Sequence, residues 1–199
     1  MPWKNGGGIT HEVLRVPAGD GRFRWRVSVA QIDASGPFSQ FAGYNRKMVL
    51  LRGSGVRLTF RGMEPILIEE AGDLVEFDGS LATECELLSG PCVDLNLMVL
   101  KSILGVRAWV ESLCVPRPLQ APPHGTLLIF AISGALSVKL ENFPSIELQA
   151  WDLGVLMPED RGMVAPAALG SVAVPVESGG VGSSAAPLVF FATLTDNPR

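Results

Sequence analysis

The stretch Ala71-Gly72-Asp73-Leu74-Val75-Glu76-Phe77 decides the fold, because a glycine–aspartate turn leads there into a short apolar strand that recurs later in the chain. Ala71–Leu74 aligns without a gap on Ala150–Leu153, and the two differ only at their second position. The same alignment places Ser54-Gly55 on Ser133-Gly134. A match at fixed spacing is typical of repeated architecture, so we predict two tandem β units of about 80 residues.

Strand patterns dominate the rest of the chain. Phe23–Ile32 alternates between apolar and polar residues and ends at a turn cluster, Asp33–Pro37. Shorter segments of the same kind, including Val56–Phe60, Thr83–Leu88 and Val93–Leu100, are separated by glycine and proline turns. Many short strands with such turns between them predict an all-β protein of the sandwich or barrel type.

Composition excludes several classes of partner. A hydrophobic fraction of 47% beside 18% charged residues predicts a packed globule rather than a disordered chain. The formal net charge of −4 argues against a nucleic-acid partner, which needs clustered Lys and Arg. No apolar run approaches the ~18 residues of a membrane span, so no membrane partner is expected. The odd number of cysteines, 3, favours reduced thiols and a cytoplasmic location.

The repeat is interrupted between the two copies. Arg107–Pro118 has no counterpart in the first copy and leads into the proline-rich stretch Pro116–Pro123. We therefore predict an N-terminal unit over 1–104, a connector over 105–125 that starts with a short helix, and a C-terminal unit over 126–199. The second unit carries fewer polar residues at strand positions, so we expect it to be mainly structural.

Several motifs carry a resemblance to known families. Gly72–Phe77 resembles the second motif of the cupins, and its counterpart in the second half makes the chain similar to a bicupin. Longer blocks resemble the HutD/Ves family of bacterial proteins: Met1–Glu12, Trp25–Ile32, Gly36–Gly43 with Arg46, and Gly90–Met98. The resemblance implies two tandem cupin-like β-barrels or sandwiches. It also implies an association with histidine utilisation, which the family is thought to modulate by binding a small intermediate.

A metal site is the first question for any cupin-like chain. Metal-binding cupins use several histidines, and this chain has only His11 and His124, which are far apart in sequence. A zinc, iron or manganese site built from several imidazoles is therefore excluded by counting. We expect no metal and no cofactor.

Strand alternation gathers polar residues on one face. If Ile9–Val13 is a strand, Thr10 and Glu12 share a face, and the same parity puts Arg26 and Ser28 together on their strand. We predict that these residues line the interior of the first unit and that Asn96 joins them. The alternative is a buried structural ion pair between Arg26 and Glu12, which produces the same pattern.

Two loops supply the other candidates for ligand binding. Three glycines in a row allow the backbone to approach a ligand closely, and polar and aromatic side chains precede them. The loop after the second strand places a serine between aromatic residues, and an arginine follows it that suits a carboxylate. The candidates from these segments are Trp3, Lys4, Asn5, Gly6, Phe38, Ser39 and Arg46.

Two functions stay open. The first is a metal-independent binding module for a small anionic metabolite; the resemblance points to urocanate or a formimino- or formyl-glutamate. The second is an enzyme that acts on such a metabolite with Glu12 as general base, although no nucleophilic triad or cofactor fingerprint is present. Pairing of two chains through sheet edges, which would give a homodimer, also stays open.

Overall fold

The chain is all-β, as predicted. A computed structural model describes residues 1–3, 5–167 and 186–195, and no helix occurs in these ranges. None of the described elements is therefore a helix of the length and apolarity that a membrane crossing requires. The chain divides into two compact units, Met1–Ala108 and Trp109–Thr195.

The first unit contains two sheets. Its strands are β1 (Gly8–Pro17), β2 (Phe23–Ile32), β3 (Gly36–Pro37), β4 (Tyr44–Arg52), β5 (Val56–Phe60), β6 (Ile66–Ile68), β7 (Leu74–Asp78), β8 (Thr83–Leu87) and β9 (Cys92–Leu100). The larger sheet has the order β1-β2-β9-β4-β7, and the smaller one β3-β8-β5-β6. Hydrogen bonding does not join these sheets into a closed ring within the described ranges, so the unit is a sandwich.

An apolar core lies between the two sheets of the first unit. Met48 and Leu50 of β4 pack in one buried cluster with Leu58 and Phe60 of β5, and Ile32 of β2 belongs to the same cluster. These side chains come from alternate positions of their strands, which is the pattern of a sheet with one face turned to a core. The parity of β4 therefore fixes which of its other side chains face the interior.

The second unit repeats this plan. Its strands are β10 (Gly105–Ser112), β11 (Arg117–Gln120), β12 (Gly125–Ser133), β13 (Leu136–Leu140), β14 (Ile146–Leu148), β15 (Leu153–Leu156), β16 (Arg161–Pro166) and β17 (Leu188–Thr195). They form sheets of order β10-β17-β12-β15 and β11-β16-β13-β14. The pairs β12–β15, β13–β14 and β13–β16 correspond to β4–β7, β5–β6 and β5–β8. The predicted repeat is thus a repeat of strand pairing.

The helix that we expected at the start of the connector is wrong. The segment forms β10, and β11 follows it where a proline-rich linker was expected. Arg107, Trp109 and Glu111 alternate there with smaller apolar residues, which is the period of a strand and not of a helix. Pro118 is tolerated in β11 because this is an edge strand of its sheet.

The aspartates before β7 and β15 accept a backbone hydrogen bond at aligned positions. The Asp73 carboxylate accepts from the backbone N–H groups of Glu69 and Glu70 at 2.9 and 3.0 Å. The Asp152 carboxylate accepts in the same way from Gln149 at 2.8 Å. The residue before each aspartate has a positive φ, 99° at Gly72 and 75° in the second unit. The aspartate therefore closes the turn that leads into β7 and β15.

We expect Asp73→Ala to lower the free energy of unfolding by about 1–2 kcal/mol, because two backbone N–H groups lose their acceptor. Asp73→Asn keeps an acceptor oxygen at the same place and serves as the matched control, with a smaller loss. Urea unfolding of both variants measures the difference. Equal midpoints for Asp73→Ala and the parent chain would contradict the role given to this carboxylate.

Candidate functional site

Strand register gathers the polar residues of the first unit into three rows across β2, β9 and β4. The rows are Arg26–Met98–Arg46, Ser28–Asn96–Met48 and Ala30–Asp94–Leu50. Directly opposed residues of antiparallel strands point to the same face, and Met48 and Leu50 belong to the core cluster. The polar side chains of the rows therefore face the interior. With neighbouring strands about 4.8 Å apart, the Cα atoms of Arg26 and Arg46 lie about 10 Å apart.

These rows form part of the wall of a cavity of about 470 Å³ within the first unit. Its lining residues are Met1, Pro2, Trp3, Asn5, Thr10, Arg26, Ser28, Ala30, Pro37, Phe38, Ser39, Phe41, Arg46, Asp94, Asn96 and Met98. The volume lies within the range of small-molecule sites, and the wall is largely apolar with a few converging polar groups. The cavity has the size and character of a binding site for a metabolite.

Arg46 is the more deeply buried of the two guanidinium groups on the cavity wall. Its Nη2 donates to Asn96 Oδ1 at 2.7 Å, and its Nε has no hydrogen-bond partner among the described residues. The guanidinium carbon lies 4.9 Å from the ring centre of Phe77 and 5.3 Å from that of Phe38, in cation–π contact. Burial lowers the pKa of Arg46 to about 10, opposed by the charge of Asp94. The group stays protonated at neutral pH.

Asp94 is connected to this guanidinium through Asn96. Asn96 Nδ2 donates to Asp94 Oδ1 at 2.7 Å, while the amide oxygen of the same side chain accepts from Arg46. This orientation is dictated by chemistry, since a guanidinium only donates and a carboxylate accepts. The Asp94 side chain is buried, and burial raises its pKa to about 7, with the positive charge of Arg46 as the largest opposing influence. Asp94 therefore titrates near neutral pH.

Arg26 is buried at the opposite end of the first row. Its guanidinium lies 3.9 Å from the Glu12 carboxylate and contacts Met98 Sδ at 3.6 Å, while its Nε has no partner among the described residues. Burial is the largest influence on its pKa, which is lowered, and Glu12 opposes this. A pair at this distance, with Glu12 about one third exposed (35%), leaves most of the donors of Arg26 unused. A structural ion pair alone therefore accounts poorly for Arg26.

The segment before β1 folds back over the sheet and closes one side of the cavity. The Trp3 backbone N–H donates to the Gly8 carbonyl at 2.9 Å, and Trp3 Nε1 donates to Thr10 Oγ1 at 2.8 Å. The indole meets Phe38 edge to face at 5.7 Å. A side chain at Gly8 would place its Cβ 2.2 Å from the Gln31 carbonyl oxygen, so only glycine fits there.

Most of the side chains predicted to bind a ligand are brought together on the cavity wall. They are Trp3, Asn5, Thr10, Arg26, Ser28, Phe38, Ser39, Arg46 and Asn96. Glu12 and Gly6 do not line the cavity: Glu12 lies on the edge strand β1, and Gly6 (φ 71°) has open space around its Cα. Lys4 lies outside the described residues.

Alternation in the sequence also places Ala30 on the face of Ser28 and Asp94 on the face of Asn96, although neither is among the predicted ligand-binding residues. Met98 was missed, and extending the alternation that identified Asn96 would have found it. The sequence places Phe41 in the loop that could cap the interior, but no periodicity predicts what its ring contacts. Its ring lies 5.3 Å from the guanidinium carbon of Arg26 and 5.9 Å from that of Arg46.

The donor set of the cavity does not fit a metal ion, although many cupins hold one. Among the described residues of the wall, two are arginines that face the interior and Asp94 is the only one with a carboxylate. Guanidinium groups repel a cation and do not ligate it. His11 and His124 are both exposed and take no part in the wall. Within the described ranges, no group of three or more His, Cys, Asp or Glu side chains is arranged to hold a metal.

The second unit has no equivalent of the guanidinium site at the aligned position. Gly125 aligns with Arg46, and a Cβ there would lie 2.5 Å from the Leu194 carbonyl oxygen and 2.6 Å from Pro122 Cγ. The interior of this unit is an apolar cluster that includes Leu127 and Ile129. Close backbone packing thus takes the place that a side chain has in the first unit.

We expect the stability of Asp94→Asn, compared with that of the parent chain, to be greater at high pH than at low pH. Because the pKa of Asp94 is higher in the folded chain than in the unfolded one, the native state binds more protons between about pH 4 and pH 7. The contribution of Asp94 to stability is therefore present at low pH and is lost as the pH rises through 7. The free energy of unfolding of the variant, relative to that of the parent chain, should rise by on the order of 2 kcal/mol between pH 5 and pH 8.

Urea unfolding at the two pH values measures this difference. Asp78→Asn is the matched control, because Lys101 and Ser80 hold the pKa of the exposed Asp78 carboxyl at about 2. That carboxyl stays ionised in the folded chain over the whole interval, so it cannot produce the same pH dependence. A parallel pH dependence of Asp94→Asn and the parent chain would contradict a neutral-range titration of Asp94.

The chain matches one protein family and several known proteins in sequence. The HutD family model matches residues 1–173. An uncharacterized 21.2 kDa protein from the hutC 3′ region of Pseudomonas putida is 45% identical over 145 residues, which make up 70% of this chain and 72% of the relative. Protein Ves of Escherichia fergusonii is 30% identical over 105 residues, or 48% of this chain and 50% of Ves.

Solved structures of similar proteins share the fold. A conserved protein of unknown function from Pseudomonas aeruginosa PAO1 is similar with a TM-score of 0.77 at 28% identity, covering 100% of this chain and 94% of that one. HutD from Pseudomonas fluorescens SBW25, solved in a formate condition, gives a TM-score of 0.73 at 26% identity with the same coverage. A cupin 2 conserved barrel domain protein from Leptotrichia buccalis, at 12% identity, TM-score 0.53 and coverage of 98% and 92%, shows a cupin-like fold alone.

Proposed function

We propose a binding function from the premise that this chain belongs to the HutD family. The cavity of the first unit binds a small carboxylate metabolite of histidine degradation, of the urocanate, formiminoglutamate or formylglutamate class. Through this binding the protein modulates histidine utilisation in the cytoplasm. The second unit is mainly structural.

The observation that carries the proposal is the pair of buried guanidinium groups on one cavity wall. Arg26 and Arg46 each keep an Nε–H without a partner among the described residues, although both side chains are buried. A buried donor without an acceptor costs free energy, which an entering acceptor recovers. A carboxylate is planar and accepts two parallel N–H bonds from one guanidinium, so it suits such a wall.

The aromatic residues beside these groups support a flat ligand. Phe38 and Phe41 line the cavity and lie within 6 Å of guanidinium carbons, and Trp3 packs against Phe38. Rings of this kind exclude water and strengthen the interaction of a guanidinium with an anion, because the local dielectric is low. An imidazole ring or a short amide chain attached to the carboxylate would find apolar contacts there.

The relatives support the pathway rather than the ligand. One relative is encoded in the hutC 3′ region, and one of the similar solved structures is named HutD. The enzymatic alternative has no observation in its favour, because Glu12 lies outside the cavity wall and about one third exposed. We therefore propose only the binding function.

A thermal-shift screen tests the proposal. Histidine, urocanate, formiminoglutamate, formylglutamate, glutamate and formate are each added to the purified full chain. A ligand at 100 times its Kd stabilises the native state by about 2.7 kcal/mol, which raises the melting temperature by several degrees. We expect at least one of the pathway carboxylates to do so, and histidine to give the smallest shift because its ammonium group is repelled by the guanidinium pair. A screen with no shift would contradict the proposal.

Variants identify the cavity as the place of binding. Arg26→Met and Arg46→Met should remove the ligand-induced shift, since each deletes one guanidinium at similar side-chain length. Arg46→Met is made together with Asp94→Asn, so that no uncompensated buried carboxylate destabilises the fold. Arg57→Met is the control, because Arg57 is 41% exposed and pairs with Glu86 outside the cavity. An unchanged shift in both cavity variants would place the ligand elsewhere.

A further inference from the structure

We propose that Asp94 takes up a proton when an anion engages Arg46, so that the cavity binds its ligand together with a proton. The inference rests on the proposed anion binding for its first event, and it adds Asp94 to the site as a second, proton-binding group. Nothing in the resemblance to relatives assigns this role to Asp94. The geometry of the three rows carries it.

Asp94 is shielded from solvent. Its side chain is buried and accepts a hydrogen bond from Asn96, whose other end is held by Arg46. A backbone hydrogen bond from Ala30 also favours its ionised form. The two charges are thus joined through one amide in the interior of the sheet. A change in the charge around Arg46 is felt at Asp94 with little screening, because the site is out of water.

Groups from several strands surround Asp94 and Arg46. From β4 the facing charge is Arg46, and from β2 the backbone of Ala30 hydrogen-bonds the Asp94 carboxylate. Arg26 of β2 acts on Arg46, whose pKa its positive charge lowers. From β8 the facing group is Cys85, whose thiol has its pKa raised to about 12 by burial and is therefore neutral. From β1, Glu12 faces Arg26 and lies nearer to solvent. Among the described residues, Arg46 is thus the charge that most favours the ionised form of Asp94.

Anion binding changes the charge balance around Asp94. With the cavity open, the positive charge of Arg46 opposes the effect of burial on Asp94 and keeps its titration near neutral pH. A carboxylate bound at Arg46 brings a negative charge to the same place and cancels that support. The ionised form of Asp94 is then disfavoured both by burial and by a like charge. A proton from solvent neutralises the carboxylate, and the oxygen that stays unprotonated remains an acceptor for Asn96.

The consequence is a pH-dependent affinity. Below about pH 6 Asp94 already holds its proton, so binding takes up none and the affinity does not change with pH. Above pH 7 each binding event takes up close to one proton, and the affinity falls by up to about tenfold per pH unit. At pH 7 the uptake is about half a proton, because Asp94 is about half protonated there.

Titration calorimetry measures the proton directly. Formylglutamate is the probe, because the pKa values of carboxyl groups lie far below neutral pH and the molecule has no imidazole that could take up a proton. Binding enthalpies are compared in two buffers of different ionisation enthalpy at pH 5.5, 7 and 8. We expect uptake near zero at pH 5.5 and approaching one proton at pH 8. The Asp94→Asn variant should bind with no uptake and no pH dependence, and the Asp78→Asn control should behave as the parent chain.

The outcomes separate the two proposals. Binding without proton uptake at pH 8 would overturn the role of Asp94 and leave the anion site intact. Absence of binding by formylglutamate, with urocanate and formate also inactive, would overturn the proposed function. Uptake that persists in Asp94→Asn would assign the proton to another group and overturn the inference.

A measurement without ligand gives an independent result. Carbon-13 NMR of the aspartate carboxyl groups follows each titration, and the Asp94 signal is identified by its loss in Asp94→Asn. We expect its midpoint near pH 7 in the parent chain and a higher midpoint in Arg46→Met, where the supporting charge is gone. A midpoint in the ordinary range near 4, or one that does not move in Arg46→Met, would overturn the coupling whatever the ligand proves to be.

Discussion

The polar interior of the first unit is organised around the burial of one guanidinium group, that of Arg46. Taking such a charge out of water costs several kcal/mol unless its donors and its charge are compensated nearby. Asn96 supplies an acceptor, Asp94 supplies an opposing charge at one remove, and the rings of Phe38 and Phe77 cover the flat faces. Each of these neighbours therefore presents to Arg46 a group that stabilises a positive charge.

The sequence indicates the strand part of this arrangement well and the loop part poorly. Alternation along Phe23–Ile32 is sufficient to put Arg26 and Ser28 on one face, since a strand has a fixed period of two. The same argument gave Glu12 the correct face, but not its exposure, because β1 is an edge strand and its side chains reach solvent. The contact of Phe41 with two guanidinium groups depends on how a loop folds back, which no periodicity encodes.

The two units share the same strand pairing but differ in the residues of their interiors. The pairing of β4 with β7 and of β12 with β15 is the same, yet Arg46 stands in one and Gly125 in the other. In the second unit a backbone carbonyl and a proline ring approach that position too closely for any side chain. The difference is therefore one of backbone approach as well as of residue type, so exchanging single residues would not transfer a site from one unit to the other.

The turn before β7 and β15 affects how tandem repeats of this kind can be found in a sequence. Its glycine is present in one copy only, since Trp151 adopts the same positive φ in the other, while the aspartate and its acceptor role occur in both. The carboxylate, rather than the flexible residue before it, is thus what the two copies have in common. A search pattern for tandem units of this kind that requires glycine would overlook the second copy, whereas a pattern built on an aspartate directly before a short apolar strand would retain it.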